Sequence, residues 1–166
     1  MSDREQIVQV LLEFVEAVLH QLLFVRQLYS QELFERQRLY GVTVRKSRHP
    51  ELNDYLHELV SSLKVLAPQQ QRPTEPLDVD TIQSQLRGVI LKLQYADSYL
   101  ARLPAGCTFE VVVYTHDRRT VPIDTWVEEQ PSPGFLELPQ AEIVPVKSCT
   151  VEGAFQLQLY AESQPT

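Results

Sequence analysis

Apolar residues crowd the start of the chain. Ile7, Val8, Val10, Leu11, Leu12, Phe14, Val15, Val18, Leu19, Leu22, Leu23, Phe24 and Val25 occupy more than one face of a helix. A helix apolar nearly all round is buried against several neighbours. Ser2 and Glu5 stand ahead of it at capping-box spacing, so a central spine is expected from there to about Leu28. A second stripe follows His49-Pro50, through Leu52, Tyr55, Leu56, Leu59, Val60, Leu63 and Leu66. Pro50 suits the first helical position, where its missing N–H costs nothing. A third run has Ile82, Leu86, Val89, Ile90, Leu93, Ala96, Leu100 and Leu103 in steps of three and four, with Asp80 as its cap and Gln83 three residues on; it predicts one long amphipathic helix. After Pro104, Ala105 and Gly106 comes a stretch of strand composition, residues 107–115, rich in β-branched and aromatic residues and apolar towards its middle on both faces. It predicts a central strand with a neighbour on each side. The chain closes on a strict alternation, with Phe155, Leu157 and Leu159 facing inward and Gln156, Gln158 and Tyr160 outward.

Between these elements the pattern loosens. Residues 29–48 are mixed, with Tyr40 to Val44 as a short candidate strand. Arg36, Arg38, Arg45, Lys46 and Arg48 make this the one basic neighbourhood of the chain. It reads as a solvated surface loop or, more sharply, as a site for an acidic partner. Residues 67–80 carry Pro68, Pro73 and Pro76 among glutamines, which predicts a loop. Residues 116–120 form a polar turn, and 121–146 hold five prolines and the only Trp, Trp126, which predicts irregular chain. The organisation is one domain over 1–166: two helices with a short strand between them over 1–66, the loop over 67–80, the central helix and strand over 81–115, and a C-terminal segment over 116–166.

Length and composition suit a single soluble globular domain, 166 residues with 43% apolar and 22% charged content. A net charge of −7 argues against direct nucleic-acid binding, which rests on neutralising phosphates. The two cysteines, Cys107 and Cys149, are too few for a disulfide framework and read as reduced thiols of an intracellular protein. Nothing near the N-terminus has the pattern of a signal peptide. Glu13, Glu16, His20, Gln21 and Arg26 interrupt the first helix, whereas a membrane span needs ~20 nearly uninterrupted apolar residues. No membrane association is expected. Catalytic patterns are equally thin: no phosphate loop, no nucleophile elbow and no paired cysteines at metal spacing. His116-Asp117 reads as a turn pair, and Glu13 and Glu16, one helical turn apart, lack histidines at matching spacing. No catalytic residue, metal or cofactor is expected, which favours a binding module over an enzyme.

Several stretches together resemble the HORMA domain, and within it the accessory HORMA subunit of DNA polymerase zeta. They are Leu12-Glu-Phe-Val-Glu16, Arg48-His-Pro-Glu-Leu-Asn-Asp-Tyr55, Leu86-Arg-Gly-Val-Ile-Leu-Lys-Leu93, Gly106-Cys-Thr-Phe-Glu-Val-Val-Val-Tyr-Thr115, Val144-Pro-Val-Lys147 and Gln158-Leu-Tyr160. The resemblance implies an α+β, HORMA-like fold: three helices packed on a reduced, mainly antiparallel sheet, with a C-terminal safety belt. It implies a non-enzymatic adaptor whose belt wraps over a short partner peptide, adding a strand to a sheet edge. The partners implied are a peptide of a DNA polymerase catalytic subunit, the C-terminal domain of a translesion scaffold polymerase, and a second HORMA chain as homodimer or heterodimer. The setting implied is translesion DNA synthesis in the nucleus, with the cytoplasm as a second location. Residue by residue, Tyr55 and Trp126 fall at peptide-contacting positions. Ile143, Gln158 and Tyr160 fall where the family docks the scaffold polymerase, and Arg87 at a dimer contact. Tyr55 and Ile143 also read as core positions, Gln158 and Tyr160 as the wet face of the last strand, and Arg87 as a solvated helix residue.

One departure stands out. The family carries an apolar two-stranded hairpin between the second and third helices, and here only the loop of residues 67–80 fills that interval. The strand at 107–115 therefore lacks its usual partners, and Phe155 to Ala161 is expected to pair with it instead. Two other functional readings stay open: a spindle-checkpoint-type HORMA adaptor, and a shortened product with impaired peptide binding.

Overall fold

The computed structural model describes residues 2–66, 78–114 and 141–163. Helix α1 spans Asp3–Val25 and opens on the expected capping box. The Ser2 amide donates to Glu5 Oε2 at 2.7 Å and the Glu5 amide to Ser2 Oγ at 3.3 Å. The helix stops short of Leu28 because Gln27 turns left-handed, at φ 54°. The Leu28 amide then reaches back to the Leu23 carbonyl and the Gln27 amide to that of Phe24, while Leu28 and Leu23 join one apolar cluster. That is a Schellman ending. By length and composition α1 passes for a membrane span. From Phe14 to Arg26, however, every residue is buried or half-buried, and the helix contacts α2, α3 and β2, introduced below. It is the spine of the fold.

The stretch expected to hold one short strand is a hairpin. β1 (Phe34–Leu39) and β2 (Val42–Ser47) pair antiparallel, from Leu39 opposite Val42 to Phe34 opposite Ser47. Tyr40 and Gly41, with φ of 48° and 79°, are therefore the two-residue turn rather than part of a strand. Positive φ at both central positions matches the right-handed twist of the flanking strands. The Tyr40 hydroxyl donates to the Val10 carbonyl at 2.9 Å, pinning the turn to α1.

Helix α2 (Pro50–Ser62) has Pro50 in its first turn, as expected, and His49 as cap. Its stripe of Leu52, Leu56, Leu59 and Val60 is buried, and a short 3-10 turn continues it over Leu63–Leu66. Helix α3 (Val79–Leu93) starts two residues before the expected site, because Asp78 rather than Asp80 caps it, accepting from the Asp80 amide and the Thr81 hydroxyl. It also ends ten residues before Leu103. A single turn, α4 (Ala96–Tyr99), follows, and Arg26 from the end of α1 clamps it by bonding Asp97 and the Ala101 carbonyl. Leu103 is exposed.

The central strand is the main correction. Residues 107–114 pair with no strand among the described residues. They alternate half-buried Phe109, Val111 and Val113 with exposed Glu110, Val112 and Tyr114, so only one face is covered. Cys107 is exposed, and Cys149 is the buried thiol. Residues 142–146, expected to be irregular, open β3 (Glu142–Val151), which tolerates Pro145 at a register irregularity. β4 (Phe155–Ser163) pairs with β3 and not with residues 107–114. The physical reason is locality. A tight turn through Glu152, Gly153 (φ 75°) and Ala154 joins the two strands, and closing a short loop costs less entropy than recruiting a distant segment.

The architecture is thus α+β, and among the described residues the strands form two separate antiparallel hairpins. One core joins α1, α3, β2 and the inner face of β3–β4 through Phe14, Val18, Val44, Ile82, Leu86, Val89, Ile90, Cys149 and Val151. A second, smaller cluster joins α1, β1 and α2 through Leu23, Phe34, Leu52 and Leu56.

Candidate functional site

Tyr55 lies on the outer side of α2, one turn after the buried Leu52 and next to the buried Leu56, and is 49% exposed rather than core. Phe109 reaches it from the unpaired segment. The two rings meet edge to face with centroids 6.3 Å apart, and Phe109 makes a matching contact with Tyr29 at 6.4 Å. Such contacts contribute about 0.5–1.5 kcal/mol each beyond the area they bury. The three rings, with His49, Glu51 and Leu52, line an open cleft of about 330 Å³. Of the lining residues Tyr29 and Phe109 pack on the smaller core, while His49 and Glu51 make the rest of the lining polar. The cleft is therefore a preformed aromatic notch with one carboxylate, Glu51, on its rim. Tyr29 and Phe109 were not singled out from the sequence. Phe109 stood in the Gly106-Cys-Thr-Phe motif but was read only as a strand residue.

The second group of predicted residues lies on the outer face of β3–β4. Ile143 pairs with Glu162, Pro145 with Tyr160 and Ser148 with Gln158. Residues two apart on a strand share a face, so Tyr160 and Gln158 stand in line, with Ile143 beyond Tyr160 on the neighbouring strand. All three are exposed, Ile143 at 62% and Tyr160 at 52%. The opposite face, through Val146, Cys149, Val151, Leu157 and Leu159, turns inward. Burial pushes the Cys149 thiol pKa up despite nearby Lys147, so this cysteine rests protonated and poorly nucleophilic. Arg87 lies on the exposed side of α3, with Leu91 and Tyr95 in line one and two turns on. Trp126 and the His116-Asp117 pair lie outside the described residues.

Among the described residues the titratable groups make no catalytic constellation. His20 is buried. Its Nδ1 accepts the Ser47 amide at 3.3 Å and its Nε2, without a hydrogen-bond partner, stands 4.0 Å from Glu16. Burial holds its pKa down to about 4, with Lys46 adding to the effect and Glu16 opposing it. The other oxygen of Glu16 meets His57 Nδ1 at 3.1 Å. Glu13 instead accepts from Gln9, so Glu13 and Glu16 do not converge. Among the described residues no group of His, Cys, Asp and Glu could hold a metal. What remains is two surfaces suited to protein contact.

No family model matches the chain. The mitotic spindle assembly checkpoint protein MAD2B of Bos taurus is 28% identical over 193 residues, covering 95% of this chain and 91% of the relative. That alignment is longer than the chain's 166 residues, so the bovine protein has residues that this chain lacks. The DNA polymerase zeta processivity subunit of Arabidopsis thaliana is 26% identical over 189 residues, covering 92% of this chain and 83% of that one. A crystal structure of a mitotic checkpoint complex contains a chain of the same fold, with a TM-score of 0.79 at 23% identity, covering 96% of this chain and 99% of that one. In sequence over nearly its whole length the chain resembles MAD2B and the polymerase zeta processivity subunit, and its fold matches a chain of the checkpoint complex, in agreement with a HORMA-type protein.

Proposed function

We propose that this chain is a non-enzymatic adaptor that traps a short partner peptide beneath its C-terminal segment. It acts as the accessory subunit of translesion DNA polymerase zeta, bridging the catalytic subunit and a scaffold polymerase in the nucleus during DNA damage tolerance. The observation that carries the reading is the notch of Tyr29, Tyr55 and Phe109, which stands at the residue the resemblance marks for peptide contact. An apolar or proline side chain of an extended peptide fits such a notch, and aromatic residues in pockets supply a large share of binding energy. The likeness to a polymerase zeta processivity subunit supports the choice of partner. The joint exposure of Ile143, Gln158 and Tyr160 supports the bridge, since that face stays free while the notch is filled.

A checkpoint adaptor is the second reading, favoured by relatives named for the spindle checkpoint. Titrating the full chain with a proline-containing peptide of the polymerase catalytic subunit, followed by Trp126 fluorescence, separates the two. Saturable binding is expected, weakened ~tenfold or more in Tyr55→Ala or Phe109→Ala, with thermal melts showing that both variants fold. Ile143→Ala with Tyr160→Ala should leave that affinity unchanged and abolish capture of the scaffold polymerase's C-terminal domain. Preference for a checkpoint closure peptide would favour the second reading, and a folded chain that binds neither peptide would refute both.

A further inference from the structure

The N-terminal hairpin has two edges, and they are treated differently. In an antiparallel pair, alternate residues turn their N–H and C=O groups away from the partner strand. With Leu39 opposite Val42 across a two-residue turn, the outward residues are Thr43, Arg45 and Ser47 on β2, and Phe34, Arg36 and Arg38 on β1. On β2 every one of the three is capped by a side chain. Gln94 donates to the Thr43 carbonyl, the Arg45 amide donates to Gln21 Oε1 at 3.0 Å, and the Ser47 amide to His20 Nδ1 at 3.3 Å. On β1, Arg36 and Arg38 are exposed, and among the described residues their main-chain groups have no partner outside the hairpin.

On the face that Arg36 and Arg38 share, the open edge is basic, while Glu35, on the other face, stands opposite Lys46 and accepts from Gln37 Nε2 at 3.0 Å. Arg36 stands directly opposite Arg45, and Arg38 is its neighbour on the same face. Like charges directly opposite destabilise a hairpin. Arg45 is partly occupied over the Phe24 ring, 4.6 Å from its centroid, and one Arg38 nitrogen donates to the Gly41 carbonyl at 2.8 Å. Among the described residues the Arg36 side chain has no hydrogen-bond or ion-pair partner. This charge keeps a second copy of the same edge from adding, and it favours an anionic strand even though the whole chain has a net charge of −7.

We infer that the free edge of β1 is a docking site for an acidic, extended segment of a partner protein, which adds as a third strand beside Arg36 and Arg38. Main-chain bonds hold the strand and the arginines select its charge. The site is separate from the aromatic notch and stands whether or not the notch binds a polymerase peptide.

The test uses the full chain and a labelled ten-residue peptide alternating Glu and Val, with a Lys and Val peptide as control. Fluorescence anisotropy should show saturable binding of the acidic peptide only. Arg36→Glu with Arg38→Glu should weaken it by at least ~tenfold and admit the basic peptide. Amide exchange gives the decisive readout. At 90% occupancy the Arg36 and Arg38 amides should exchange about tenfold more slowly, while Glu35 and Gln37, already paired with β2, should not change. No saturable binding would overturn the proposal. So would binding that leaves the Arg36 and Arg38 amides unprotected, or equal binding of a DNA oligonucleotide, because either means simple charge attraction without strand addition.

Discussion

The two hairpins of this protein are built alike and attached differently. The N-terminal one is fastened by polar bonds at defined places: His20, Gln21 and Gln94 on one edge, and the Tyr40 hydroxyl at the turn. The C-terminal one lies on α3 by apolar contact, through Cys149, Val151, Leu157 and Leu159. Among the described residues no side-chain hydrogen bond or ion pair joins β3–β4 to the rest, Arg4 and Ser62 having partners of their own. Directional bonds fix register and orientation, because a buried amide without an acceptor costs about 1–3 kcal/mol. Apolar contact is non-directional and tolerates sliding. The first hairpin is therefore a fixed part of the scaffold and the second is the part able to shift. That suits the proposed adaptor role, in which the C-terminal segment opens over a peptide and closes again.

The largest effect should come from the floor both hairpins share. Leu86 is fully buried in the core joining α1, α3, β2 and β3. Leu86→Ala should cost about 2–5 kcal/mol in a urea melt, from lost transfer energy and the cavity left behind. Because the residue lies under both hairpins, amide protection of β2 and β3 should fall together. Loss in β3 alone would mean that the hairpins do not share one cooperative core.

Acid should separate the hairpins. The folded-state pKa of His20, about 4, lies below its ordinary value of 6.5. Between those values the unfolded chain binds the proton and the folded chain does not, so stability is full above pH 6.5 and falls as pH drops towards 4. The shift corresponds to a loss on the order of 2–3 kcal/mol. Protonation also removes the acceptor for the Ser47 amide, so β2 should lose protection first. His20→Gln keeps an acceptor and removes the titration, and should flatten this part of the stability–pH curve. Glu16 and Lys46 are the charges facing His20, and both remain in that control.

The same contrast explains what the sequence showed. Helices α1 and α2 and the alternation of β4 were legible because their burial is periodic and their starts carry Ser2, Glu5, His49 and Pro50. β1 was not, because the four residues between Phe34 and Leu39 are charged or polar and solvent takes them, so no alternation marks the strand. Its turn, Tyr40-Gly41, reads in the sequence as the start of the short candidate strand Tyr40 to Val44, because nothing marks the strand before it. Residues 107–114 misled in the opposite direction. Their β-branched composition shows fitness for a half-buried surface, but a strand also needs a neighbour, and both hairpins close on themselves. In the candidate sites, resemblance singled out Tyr55, Ile143, Gln158 and Tyr160. Tyr29 and Phe109 come from segments far from Tyr55 in the chain, and only folding brings the three rings together.

The smallest expected effect tests the seat of the movable hairpin. Gly88 lies inside α3, where Gly costs about 1 kcal/mol relative to Ala. A Cβ added there would meet Lys147 Cε at 3.2 Å and Nζ at 3.8 Å. That is the far end of an exposed, flexible side chain of β3, which can swing aside. Gly88→Ala should therefore change stability by less than ~1 kcal/mol, towards greater stability, with β3–β4 protection intact. A larger side chain has no such escape. Gly88→Leu should lift β3 from α3, exposing Cys149 to thiol reagents and speeding amide exchange in β3 and β4, while Arg45 and Ser47 stay protected by Gln21 and His20. Loss of protection in both hairpins would show that the C-terminal one is as firmly keyed as the other. Loss in β3–β4 alone would make Gly88 the point at which the movable half of the fold separates from the fixed half.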